Sequence, residues 1–162
     1  MLYYSIAQQR LSGEAGGKRV DLFAVSGGGR GRKRGSPEYS LSSFSHQRKA
    51  TPGVRGGPLP PGFYVVHEPG NHPRLGRAAY LEQTLASFLQ TDPLAPSCYY
   101  VTDRGGFFIH GRGRHGSDGC IVPMQGFDEL MGLLATSTPL ALVVRDPGMI
   151  APEGGSAKAA YA

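Results

Sequence analysis

The apolar segments of this chain are short, and glycine or proline closes most of them. There are 25 glycines and 13 prolines among 162 residues. Glycine weakens a helix interior by its conformational freedom, and proline removes a backbone donor. A helix bundle is therefore disfavoured, and many short strands joined by tight turns are expected. The length supports one domain with a real core. The absence of tryptophan and an aromatic share of 9% keep that core modest. The expected fold is mainly β, a sandwich- or barrel-like single domain over residues 1–146 with two peripheral helices. The Gly/Ala/Ser-rich residues 147–162 read as a flexible tail.

Local patterns refine this outline. Residues 1–11 and 20–26 alternate or run apolar and read as a β-hairpin joined through 12–17. Residues 27–57 form a long polar loop with a basic cluster, Arg30, Arg32, Lys33 and Arg34. The proline run at 58–62 is a rigid turn that leads into a strand at 63–67, and 68–76 is turn-rich. Across 77–90, Leu81, Leu85, Phe88 and Leu89 fall at helical spacing, which predicts a helix inserted beside the sheet. Strands at 98–102 and 106–110 are joined by a hairpin signal at 103–106. Phe127, Leu130, Met131 and Leu134 predict a second short helix over 125–136, and 139–145 reads as a last buried strand.

The chemistry concentrates in residues 107–123. The apolar run Phe107, Phe108, Ile109 reads as a buried strand ending at His110. A glycine-rich loop containing Arg112, Arg114 and His115 then turns back to deliver Ser117, Asp118, Gly119 and Cys120. A thiol becomes an effective nucleophile as thiolate, and imidazole is the usual base that holds it so. Gly119 lets the backbone approach a substrate carbonyl, so its N–H and that of Cys120 can form an oxyanion hole.

The order His110-Gly111, a short glycine loop, then Ser117-Asp118-Gly119-Cys120-Ile121 resembles the catalytic motif of the L,D-transpeptidase (YkuD-like) cysteine enzymes. Its compact spacing is most similar to members delivered by type VI secretion systems as cell-wall toxins. Phe23 to Gly29, followed by Gly56-Gly57-Pro58-Leu59-Pro60-Pro61-Gly62-Phe63-Tyr64-Val65-Val66, is similar to a second run of that family. The two matches span residues from about 22 to 123, most of the chain.

The resemblance implies a YkuD-like fold, Cys120 as nucleophile, His110 as base, and the Gly111 carbonyl as the group that orients the imidazole. It implies an L,D-carboxypeptidase or L,D-transpeptidase. Such an enzyme acts on the bond between the diamino acid and the terminal D-alanine of peptidoglycan tetrapeptide stems, with D-amino acids as exchange partners. No cofactor is implied, because the thiol carries the chemistry. A toxin of this kind implies a cognate immunity protein that plugs the cleft, and the 27–57 loop is a candidate lid. Two positions depart from the pattern. Asp118 stands where many members have histidine, and Val122-Pro123 follows Ile121 where many have arginine. Arg112 and Arg114 are candidates to bind a substrate carboxylate, since guanidinium matches its geometry.

Other chemistries compete for the same residues. The net charge of +5 and the basic loop also suit a nucleic-acid or cell-wall binding protein without catalysis. No nucleic-acid motif accompanies that charge, so no nucleic acid is expected as partner. His110, His115 and Cys120 recur at steps of five, wider than most zinc pairs, with no clear fourth ligand. A papain-like order would place the cysteine before the histidine. A Cys98–Cys120 bridge would silence the thiol, and Cys98 reads as a small buried apolar residue. No stretch reaches the ~18 apolar residues of a membrane helix. The N-terminus lacks the basic and apolar regions of a signal peptide. For the cell-wall enzyme that the resemblance implies, export by a dedicated secretion machine into a target-cell periplasm would resolve that conflict and is expected.

Overall fold

The computed structural model describes residues 1–27, 58–84, 105–111, 117 and 119–145. Among them, nine strands and one helix follow in order: β1 (Leu2–Ser5), β2 (Arg10–Ala15), β3 (Lys18–Val25), β4 (Gly62–Val66), β5 (Gly70–His72), β6 (Gly76–Gln83), β7 (Phe107–His110), β8 (Val122–Pro123), α1 (Phe127–Ser137) and β9 (Leu140–Arg145). The strands form one sheet in the order β5-β6-β4-β9-β1-β2-β3-β8, with β7 pairing β6. The fold is mainly β with a minor helical part, a curled half-barrel.

Pairing follows the side-chain pattern. β9 lies centrally, parallel to β1 and antiparallel to β4. Leu142 and Val144 of β9, Leu2 and Tyr4 of β1, and Tyr64 and Val66 of β4 all face the core. That is the alternation a strand with one buried face requires. α1 covers the same core with Leu130, Met131 and Leu134. Its start is set by Gly126 at φ 64°, whose carbonyl accepts from the Leu130 N–H at 3.0 Å. Asp128 and Glu129 in its first turn suit the positive end of the helix dipole. Among the described residues no helix is long and apolar enough to cross a membrane.

Three expectations are corrected. The helix expected over 77–90 is instead strand β6 through Gln83, and residues 85–90 lie outside the described ones. β6 is no peripheral insertion, because it pairs with β4, β5 and β7. Ala79 and Leu81 are buried while Tyr80 and Glu82 are exposed, a period of two that pairing on both edges enforces. The first hairpin is a three-stranded meander. Residues 10–15 are strand, and the β2–β3 turn is confined to Gly16 and Gly17, both at positive φ. The turn-rich 68–76 contains the short strand β5. The strand at 98–102, the basic cluster, Cys98 and the tail at 147–162 lie outside the described residues.

Tyr4 gives the core a pH signature. It is fully buried, and its hydroxyl donates to the Ala24 carbonyl at 3.2 Å. Burial pushes its pKa well above the usual tyrosine value. The folded phenol therefore keeps its proton at a pH where the unfolded chain releases it. Stability present below the unfolded value near ~10 is lost as the pH rises through and beyond it. Urea midpoints measured from about pH 9 to about pH 11 should fall more steeply for the wild type than for Tyr4→Phe. Equal slopes would assign the alkaline loss to other groups.

Candidate active site

The two ends of the curled sheet meet at residues 117–123. On one side β8 pairs antiparallel with β3, Val122 opposite Val25 and Pro123 opposite Ala24. On the other side Ile121 forms a parallel bridge with Ile109 of β7. The His110 N–H donates to the Ile121 carbonyl at 3.1 Å, and the Ile121 N–H donates to the Phe108 carbonyl at 2.9 Å. Ile121 is thus bracketed by Phe108 and His110, and Ile109 and Ile121 are both fully buried. Strand alternation then sets Cys120 and His110 on the other side of this pairing, one diagonal step apart.

The bridge between Ile109 and Ile121 is parallel. Such a bridge needs a loop that returns to the start of the neighbouring strand. It also explains why a glycine-rich loop separates His110 from Cys120.

His110 ends β7 and is 4% exposed, with Ala78 of β6 as its cross-strand partner. Cys120 is half-buried, and its Sγ approaches the Gly106 carbonyl oxygen at 3.9 Å. Gly111 backs onto the first residue of α1, where an added Cβ would lie 3.0 Å from the Phe127 ring. A side chain at this position would press on the Phe127 ring, which would have to shift by a few tenths of an ångström.

Gly119 adopts φ 117°, a conformation that side chains rarely take. Two buried serines hold the peptides around it. The Ser26 hydroxyl donates to the Gly119 carbonyl at 3.2 Å and accepts from the Leu59 N–H at 2.8 Å. The Ser117 hydroxyl donates to the Cys120 carbonyl at 2.6 Å and accepts from the Gly27 N–H at 3.3 Å. The Ser117 N–H closes the latch onto the Gly27 carbonyl at 3.1 Å. In a planar trans peptide the C=O and N–H point in opposite directions. Holding the Gly119 carbonyl against Ser26 therefore fixes the Cys120 N–H on the opposite side of that peptide.

The structure thus brings together His110, Gly111, Ser117, Gly119 and Cys120 at one seam. Asp118, Arg112, Arg114 and His115 lie outside the described residues, so the carboxylate-binding expectation and the zinc constellation both fall there. Sequence reasoning gave Ser26 no role. A signal for it existed in the proline run. Pro58, Pro60 and Pro61 have no N–H, so the Leu59 N–H is the lone donor of that stretch and needs a buried acceptor.

No protein-family model matches the chain, and no curated protein matches it. Among solved structures, the chain is similar to Bdellovibrio bacteriovorus Bd1075, with a TM-score of 0.47 and 14% identity over 90% of this chain. The chain spans 47% of that protein, about half its length. Likeness at that level carries no argument about the site.

Proposed function

We propose that this chain is a cysteine enzyme of the bacterial cell wall, an L,D-carboxypeptidase or L,D-transpeptidase acting on tetrapeptide stems. The observation that carries the reading is the bracketing of Ile121 by Phe108 and His110, a register that puts Cys120 one diagonal step from the buried His110. The motif resemblance supplies the substrate. In this account His110 takes the thiol proton, and the Cys120 sulfur attacks the carbonyl of the diamino acid at its bond to D-alanine. The Cys120 N–H, with that of Gly119, receives the oxyanion. His110 returns the proton to the leaving amine, and D-alanine departs from a thioester. Water resolves the thioester in hydrolysis, and a D-amino acid resolves it in exchange. Either outcome depletes the donor stems that cross-linking needs. That suits an antibacterial effector, exported by a secretion system and restrained at home by an immunity protein over the cleft.

The test is mass spectrometry of purified tetrapeptide muropeptides incubated with the protein, with and without D-methionine. Loss of D-alanine is expected, and a methionine-bearing product would identify exchange. Intact tetrapeptides in every reaction would sink the reading and favour a binding protein.

A further inference from the structure

On the face of the sheet that carries His110, four rings form a continuous row. The register pairs Phe108 of β7 with Tyr80 of β6, two residues before His110 pairs with Ala78. Phe108 therefore shares the side of β7 that His110 occupies. The Tyr80 and Phe108 ring centroids are 5.4 Å apart. His72 of β5 meets Phe108 at 5.0 Å, and His67, just beyond β4, stacks on Tyr80 at 5.7 Å with the rings 23° from parallel. His72 and Phe108 reach each other across β6 because the β6 residues opposite His72 and His110 are only Gly76 and Ala78.

Each end of the row is held in place. The His67 Nε2 lies 2.7 Å from the Glu82 Oε2, and the His72 Nδ1 accepts the Arg74 and Leu75 N–H groups, each at 3.2 Å. Yet the surface is open, with Tyr80 41% exposed. An exposed aromatic row with fixed rings has no part in the core, and the acyl transfer described above does not use it.

We infer that the row His67, Tyr80, Phe108 and His72 is a binding platform for the sugar rings of the glycan that bears the stem. The inference rests on the proposed cell-wall function. Pyranose rings present a face of polarised C–H groups to the negative face of an aromatic ring, while the tyrosine and histidine tips offer hydrogen bonds to hydroxyl and acetamido groups. Reach agrees with this. From His110, strand spacing places Tyr80 about 8 Å away and His67 about 12 Å away. The three stem residues between the sugar and the scissile bond span about 10 Å when extended. Single-stranded nucleic acid also stacks on aromatic rows, but it needs cations for its phosphates. The row has a carboxylate, Glu82, at its His67 end and the exposed Arg74 and Arg77 on the hairpin at its His72 end, so charge does not separate the two ligands, and the spacing from His110 is what favours the glycan.

The test compares kcat/KM on the free tetrapeptide and on the same tetrapeptide carried by its disaccharide, for wild type, Tyr80→Ala and Tyr80→Phe. Tyr80→Ala should lose about tenfold on the disaccharide-linked substrate alone, and Tyr80→Phe, which keeps the ring, should retain most of it. Equal losses on both substrates, or no loss on either, would overturn the platform while leaving the enzyme reading in place. If wild type turns over neither substrate, the enzyme reading fails by itself. Calorimetry with the peptide-free disaccharide then decides the platform. Binding that Tyr80→Ala abolishes upholds it. No binding, binding unchanged in the variant, or tighter binding of a single-stranded oligonucleotide overturns it.

Discussion

Replacing Cys120 with alanine should lower D-alanine release by about 10⁴-fold while leaving the fold intact. In the proposed reaction the sulfur is the atom that forms and breaks the acyl bond, so no neighbouring group can substitute for it. The structural cost should be small. The side chain is half-buried, and the Sγ contact to the Gly106 carbonyl is long at 3.9 Å. A melting temperature within a few degrees of wild type is the control, since about 1 kcal/mol moves it by only about 2–4 °C to 4–8 °C depending on domain size. His110→Gln, which keeps a polar side chain of similar length, should lose a comparable factor, because nucleophile and base act as a unit. Undiminished release by Cys120→Ala would remove the thiol from the chemistry.

The second large effect is expected at Ser26, whose hydroxyl bonds the Gly119 carbonyl and the Leu59 N–H. Ser26→Ala strips partners from the Gly119 carbonyl and the Leu59 N–H, in a place where Ser26 itself is fully buried. An unsatisfied buried group costs about 1–3 kcal/mol, so thermal stability should fall measurably. Assayed well below its melting temperature, the variant should also lose about 10²-fold in kcat with KM nearly unchanged. That split is diagnostic. A hydroxyl that only supported the fold would leave kcat per folded molecule alone. A hydroxyl that aims the Cys120 N–H at a developing oxyanion acts on the transition state. A raised KM with unchanged kcat would show that Ser26 has no part in aiming that donor.

These two residues also mark what the sequence makes legible. Strand β4 and helix α1 announce themselves by one buried face with the period of their own geometry, and β7 and β9 by short apolar runs that turn signals bound. β6 does not, because Ala78 and Ala79 are both buried and blur the alternation, while Leu81 and Leu85 imitate a helical step. Its strand state is set by neighbours on both edges, which local propensity cannot register. At the site, His110 and Cys120 are close in sequence and carry a motif. Ser26 lies 93 positions from the carbonyl it holds, so only the curl of the sheet that joins β3 to β8 brings it there. The aromatic row is likewise assembled from four separate segments and leaves no local pattern.

The central claim is that the Cys120 sulfur accepts an acyl group from the stem peptide. The most direct measurement is intact-protein mass spectrometry after rapid acid quench of the protein with tetrapeptide substrate, followed by peptide mapping. The account predicts an added mass equal to the tetrapeptide less D-alanine, carried by the peptide containing Cys120, discharged by hydroxylamine and absent from Cys120→Ala. An acyl adduct mapped to another residue, or D-alanine release with equal yield from the alanine variant, would contradict it.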